Sequence, residues 1–340
     1  MCANSQLAVD ARVAFTRFII AVMLAFLCPA SDSVAQQVKT MFRVGYLSGG
    51  SQIARVQFLA AFRQGMEEHG YIEGRNLILD ARYAEGKFER LPLLAQELIR
   101  LNPDVLLVST TPANLAAKAA TKTLPIVFVG VADPVGVGLV TNLARPAGNI
   151  TGITNIVAEL TGKRLALLKE LVPRVSRVAL LVNPDDQNAS IQIRNAQAAA
   201  RALRIEVGPV LTVRQTDDVK PAFEAAISSG ATAALRMVDP TTTMLREQTV
   251  ELAANYRLPV MYAFRGDVLA GGLVAYGTSL EDHYRQASEY IHKILRGARP
   301  RDLPIKQPTR FEFVINVKAA NALGITVPTA LMLQATEVIQ

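Results

Sequence analysis

The chain has 340 residues, half of them apolar and 19% charged, with a formal net charge of +7. That length suits two domains of comparable size, and that composition excludes a disordered chain. The excess charge is of the kind carried by solvated lysine and arginine, and the densest basic stretch (Arg296, Arg299, Arg301, Lys306, Arg310) has no interleaved aromatic before Phe311, so nucleic acid is not expected as a partner.

Arg12 and Arg17 precede an apolar run, Phe18–Cys28, and Ser33-Val34-Ala35 offers a small-residue cleavage point before Gln36. This is the layout of a secretory signal, and the run is shorter than the roughly 20 residues a spanning helix needs. Residues 1–35 are therefore expected to direct export to the periplasm and to be removed. An uncleaved anchor is the alternative; a lipid anchor at Cys28 is disfavoured by the bulky Leu27 before it. Both cysteines, Cys2 and Cys28, fall in that segment, so the mature chain has no thiol, as suits an oxidising compartment.

Phe42–Tyr46 reads as a strand ending in the glycine-rich turn Leu47–Ser51, and Arg55–His69 as a helix closed by Gly70. Asn76–Tyr83 is a strand, Phe88–Arg100 a helix, and Val105–Val108 a strand ending in Ser109-Thr110-Thr111. Pro112 then suits the first turn of the helix Ala113–Thr121. Leu124-Pro125 leads into the strand Ile126–Val129, whose following loop carries Asp133 between Ala132 and Pro134, with glycines at 130, 136 and 138. Past Arg145-Pro146-Ala147-Gly148 the chain re-extends over Asn149–Asn155, which reads as a first crossing to a second lobe.

After a helix at Thr161–Val172 the order starts again. Arg177–Val182 is a strand ending in Asn183-Pro184-Asp185-Asp186, Ile191–Leu203 a helix, Ile205–Val210 a strand and Asp218–Ile227 a helix. Ala233–Val238 is a strand ending in Asp239-Pro240-Thr241-Thr242, Met244–Tyr256 a helix, and Leu258-Pro259 introduces the strand Val260–Phe264. GYLSGGSQ lies opposite LLVNPDDQ and TKTLPIVFV opposite NYRLPVMYA, so the two halves match element for element. Such alternation predicts an α/β protein of two doubly wound parallel-sheet lobes. The remainder, a strand at Leu273–Tyr276, a long amphipathic helix at Leu280–Arg296, an extended Pro304–Pro308, a strand at Phe311–Ile315 and a helix at Val317–Leu323, fits a chain that returns to lobe one and then to lobe two. Lobe one is expected over 42–150 plus 278–308 and lobe two over 151–277 plus 309–340. The three crossings fall near Asn149–Asn155, Tyr276–Ser279 and Lys306–Phe311, the arrangement of a hinge.

In an open parallel sheet ligands sit beyond the carboxyl ends of the strands, where helix N-termini aim their amides. Residues expected to bind there are Ser48, Gly49, Thr110, Thr111 and Asp133 from lobe one, and Asn183, Asp185 and Asp239 from lobe two. Tyr262, Phe264 and Tyr276 would cover an apolar body. Hydroxyls and helix N-termini suit an anion, and a lone aspartate suits an ammonium. Taken singly, each has a structural alternative: N-cap, turn former or core aromatic. Phosphate-loop, serine-hydrolase and zinc-protease motifs are absent, the glycines after the first strand do not form a dinucleotide fingerprint, and His69, His283 and His292 all fall in or at the end of helices. No catalysis, metal or cofactor is expected. The carboxylates are scattered one per loop, which disfavours the rival reading of an enzyme acting on a sugar or nucleotide, and an export signal stands where a DNA-binding regulator of this architecture would carry a helix-turn-helix.

Four stretches, VADPVGVGLVTNLARPAGNITGIT, KRLALLKELVP (Lys163–Pro173), LVNP (Leu181–Pro184) and LPIKQPTRFEFVINVKAANALGITVP (Leu303–Pro328), resemble the ABC transporter substrate-binding proteins of the tryptophan/tyrosine-binding type. The resemblance covers about residues 42–340 and departs at Ala147, where many relatives have glycine. It implies the type I periplasmic-binding-protein fold, a three-segment hinge and a ligand enclosed between lobes. It further implies aromatic or related amino acids as ligands, and an ABC permease with its ATPase as partners of a monomeric chain. The family's strand-end loops map onto Ser48, Thr110, Asp133, Asn183 and Asp239. A sensor subunit docking on a membrane receptor is the alternative to transport.

Overall fold

A computed structural model describes residues 41–340; the export-signal reading of residues 1–35 lies outside the described residues. β1 (Phe42–Ser48), α1 (Gln52–Glu68), β2 (Leu77–Tyr83), α2 (Leu91–Arg100), β3 (Val105–Ser109), α3 (Thr111–Ala120), β4 (Ile126–Val131) and β5 (Ile150–Thr154) alternate down the first lobe. The five strands pair in parallel in the order β2-β1-β3-β4-β5. β3 is buried along its whole length and β4 nearly so, which is why their sequences are unbroken apolar runs: helices cover both faces of the sheet.

β5 corrects the expected first crossing. The sequence pattern has Asn149–Asn155 leaving lobe one, yet Ile150–Thr154 pairs with β4 and completes the first sheet. Gly152 makes this pairing possible. Its φ is +156°, and a Cβ there would lie against the Phe128 carbonyl oxygen. The chain leaves the sheet only after Asn155, through Ile156 at φ +43°, a conformation rarely taken by a β-branched residue.

The second lobe holds α4 (Thr161–Leu171), β6 (Arg177–Val182), α5 (Ala189–Leu203), β7 (Glu206–Thr212), α6 (Thr216–Ser228), β8 (Ala233–Arg236), α7 (Pro240–Met244), α8 (Arg246–Asn255), β9 (Val260–Tyr262), α9 (Arg265–Leu269) and β10 (Val274–Thr278). α10 (Leu280–Leu295), capped by the Ser279 hydroxyl, then returns to lobe one and packs along α1. Its buried face, Leu280, His283, Tyr284, Ala287, Ile291 and Ile294, follows helical spacing. Gly65 lies against Ser288, so the two helices approach closely. The Lys306 amide donates to the Gly152 carbonyl (2.9 Å) and the Thr154 amide to the Lys306 carbonyl (3.0 Å), which adds this segment to the edge of the first sheet.

β11 (Phe311–Asn316), α11 (Val317–Ala322), α12 (Thr329–Gln334) and β12 (Glu337–Ile339) close the chain in lobe two, whose seven strands run β12-β11-β10-β9-β8-β6-β7. One pair departs from the parallel expectation: β10 and β11 are antiparallel. β10 leaves lobe two at its carboxyl end and the chain comes back across the same gap, so β11 starts at that end and runs the other way. Among the described residues, no helix is long and apolar enough to cross a membrane.

Candidate functional site

The carboxyl ends of both sheets meet across one cleft, and three features of the lobe-one wall come from local sequence. At the end of β3, Thr110 sits at φ +82°, strained for a residue with a Cβ, and its hydroxyl accepts from the Gly49 amide (3.3 Å). The Ser48 and Ser109 hydroxyls meet at 3.4 Å, and the Gly50 amide donates to Ser48 (3.1 Å), tying the β1 and β3 loops together. Asn114, in the first turn of α3, donates to the Thr110 carbonyl (2.8 Å) and holds that turn in place.

Arg55, one turn into α1, projects its guanidinium into the cleft beside the Phe58 ring, 5.7 Å from the centroid. The residue is only 7% exposed, its Nε has no partner, and it makes no ion pair among the described residues. A buried cation without an anion is costly and therefore uncommon. Tyr284, from α10, stands next to it with its hydroxyl 2.7 Å from that of Tyr46, and burial holds the Tyr284 phenol well above its ordinary pKa.

Lobe two supplies the opposite charge. Asp239 caps α7: its Oδ1 accepts from the Thr241 and Thr242 amides (2.7 and 3.2 Å) and from Asn183 Nδ2 (3.2 Å). Its Oδ2 is buried with no partner. Burial raises the Asp239 pKa against the pull of those hydrogen bonds. Asp186 lines the same wall, where burial and the neighbouring Asp239 charge push its carboxyl up to about 7. Asn188 reaches across the cleft, its Nδ2 3.5 Å from the Thr111 hydroxyl of lobe one, and leaves its Oδ1 buried and unpartnered. Val129, Val157, Val238, Phe264 and Leu280 supply apolar wall. The open space is about 60 Å³, room for on the order of five waters. Among the described residues, no group of three or more His, Cys, Asp or Glu side chains is placed to hold a metal ion.

Of the residues proposed from sequence, Thr110, Thr111 and Asp239 line the cleft. Ser48 and Gly49 form the layer behind Thr110, and Asn183 braces Asp239. Four lie elsewhere. Asp133 accepts from the Gly136 amide (2.7 Å) and closes its own turn, the ordinary role of Asp-Pro in a loop. Asp185 points to solvent and pairs with Arg214 (2.8 Å). Tyr262 faces the helix layer of lobe two under the Arg236 guanidinium (5.1 Å), and Tyr276 stacks on Phe311 (6.0 Å). Phe264, expected with the two tyrosines to cover an apolar body, does line the cleft, and Arg55, Asn155, Asp186, Leu280 and Tyr284 line it without a signal of their own in the sequence reading. The nearest signals were the Ser51 cap that sets the phase of Arg55 and the Asp185-Asp186 doublet, which leaves open which carboxylate turns inward.

A family model described as ABC transporter substrate binding protein matches residues 50–339. The tyrosine-binding protein of Clostridioides difficile (strain R20291) is 26% identical over 267 residues, covering 78% of this chain and 75% of that one. A conserved domain protein from Vibrio cholerae O1 biovar El Tor superposes with a TM-score of 0.82 at 29% identity, over 88% of this chain and 99% of that one. The ABC domain from Streptococcus pneumonia in complex with L-Trp gives 0.81 at 25% identity, over 88% of this chain and 100% of that one.

Proposed function

The chain belongs to the ABC transporter substrate-binding protein family, and from that premise we propose that it captures one small amino-acid-like solute between its lobes and delivers it to a membrane permease driven by an ATPase. Proteins of this kind bind and release; no bond is made or broken. The reading places the protein outside the cytoplasm, exported through residues 1–35, and acting as a monomer.

The observation that supports it is a cleft with unmatched charge on both walls. Among the described residues, lobe one offers an unpaired guanidinium, Arg55, and lobe two an unpartnered carboxylate oxygen of Asp239 beside Asp186. These groups do not ion-pair with one another. A ligand carrying a carboxylate and an ammonium satisfies both walls at once and favours the closed form by its differential affinity. The apolar side chains between them, Phe264 and Leu280 among them, suit an aromatic or aliphatic body. The L-Trp and tyrosine named for the relatives are the first ligands to try.

The chain has no tryptophan, so the fluorescence of L-tryptophan itself reports its capture; L-tyrosine is followed by calorimetry. Saturable one-to-one binding of either is expected, weakened at least tenfold by Asp239→Asn. The absence of a thermal shift with every member of a panel of amino acids and organic anions overturns the reading.

A further inference from the structure

A second cavity, of about 510 Å³, lies at the other end of lobe two from the cleft. Val260 at the start of β9, Leu273 just before β10 and Asn316 at the end of the antiparallel β11 line it, whereas the cleft lies past the opposite ends of these strands. Its side walls are α8 and the six-residue α11, too short to cover the sheet as the longer helices do. The volume falls within the roughly 300–1,000 Å³ typical of small-molecule sites.

The chemistry of its lining is one-sided. Val250, Ala253, Leu258, Val260 and Leu273 make an apolar floor. Tyr262 belongs to the inner wall, fully buried, with a hydroxyl that has no hydrogen-bond partner. Arg257 and Lys318 stand at the exposed mouth, and among the described residues neither side chain has a hydrogen bond or ion pair. Among the described residues, no acidic side chain lines the space.

We propose that this cavity is a second ligand site, taking an apolar monocarboxylate whose body lies between α8 and α11 and whose carboxylate faces Arg257 and Lys318. Apolar walls exclude a strongly hydrated ligand, and two free cations with no carboxylate exclude a cationic one. A zwitterionic amino acid finds no carboxylate here to match its ammonium, so the site does not share a ligand class with the cleft.

The test is calorimetric titration of the full chain with decanoate, without and with an excess of L-tryptophan. Saturable binding with the same affinity in both arms is expected, weakened at least tenfold by Lys318→Glu with Arg257→Glu, and abolished by Ala319→Trp, which fills the cavity. L-tryptophan affinity is expected to stay within twofold in these variants, and thermal melts confirm that they fold; the surface charge reversals keep the test decisive if Ala319→Trp does not. No saturable decanoate binding, displacement by L-tryptophan, or affinity unchanged in the charge-reversed variant overturns the proposal. Binding to phosphatidylglycerol vesicles but not to decanoate, lost in the same variants, also overturns it and assigns the groove to a membrane surface. If L-tryptophan proves not to bind, the decanoate arms stand alone, so failure of the cleft reading and failure of this one are told apart.

Discussion

The Arg55 guanidinium faces the cleft with no ion pair among the described residues. Charge-assisted hydrogen bonds contribute about 1.5–3 kcal/mol each, so Arg55→Gln is expected to weaken binding of L-tryptophan roughly 10- to 100-fold while leaving tryptamine, which lacks the carboxylate, nearly unaffected. Equal losses for the two compounds would assign Arg55 a structural role. Asp186 adds a pH dependence. Its carboxyl lies near 7 in the folded chain against an ordinary value near 3.8, so between those values the native state holds a proton that the unfolded chain has lost. Stability of the free protein therefore falls as pH rises through that window. An ammonium needs the ionised form, so affinity is expected to climb from pH 5.5 to 8, with a proton released on binding at the acidic end; Asp186→Asn removes both trends in melts and calorimetry. That Thr110, Thr111 and Asp239 would line the cleft was legible, because they stand at the carboxyl ends of strands, where the loops face it. Asp133 and Tyr262 were misplaced because a turn former and a core aromatic carry the same letters as a ligand contact.

At the scale of elements, β5 has the least tolerance. A methyl at position 152 would lie against the Phe128 backbone and force φ +156° on a residue with a Cβ. Gly152→Ala is expected to cost about 1–3 kcal/mol, lowering Tm by roughly 2–4 °C for each of them. A melting temperature within 1 °C of the parent, with the cleft still binding, would show that β5 can shift from β4 at little cost. Strand–helix alternation and the matching halves were readable from periodicity alone. The register of ITGIT was not, since five residues after the turn Arg145-Pro146-Ala147-Gly148 suit a connector as well as a strand. Glu337–Ile339 went unread because three residues carry too little pattern.

Across the whole molecule, Asn188 and Thr111 form a direct contact between the two walls. A single long hydrogen bond holds little, and weak closure lets ligand decide the balance between states. Asn188→Ala is expected to enlarge the ligand-free protein in small-angle scattering and lower affinity severalfold; an unchanged radius would place the closing contacts elsewhere. The returning path of the chain has a different consequence. Lobe one is finished by α10 and by Lys306 against β5, both made only after β6–β10 have left the ribosome. A product stopped short of α10 presents Leu59, Phe62 and Met66 without their cover, so an interrupted translation leaves a sticky fragment for quality-control proteases to meet.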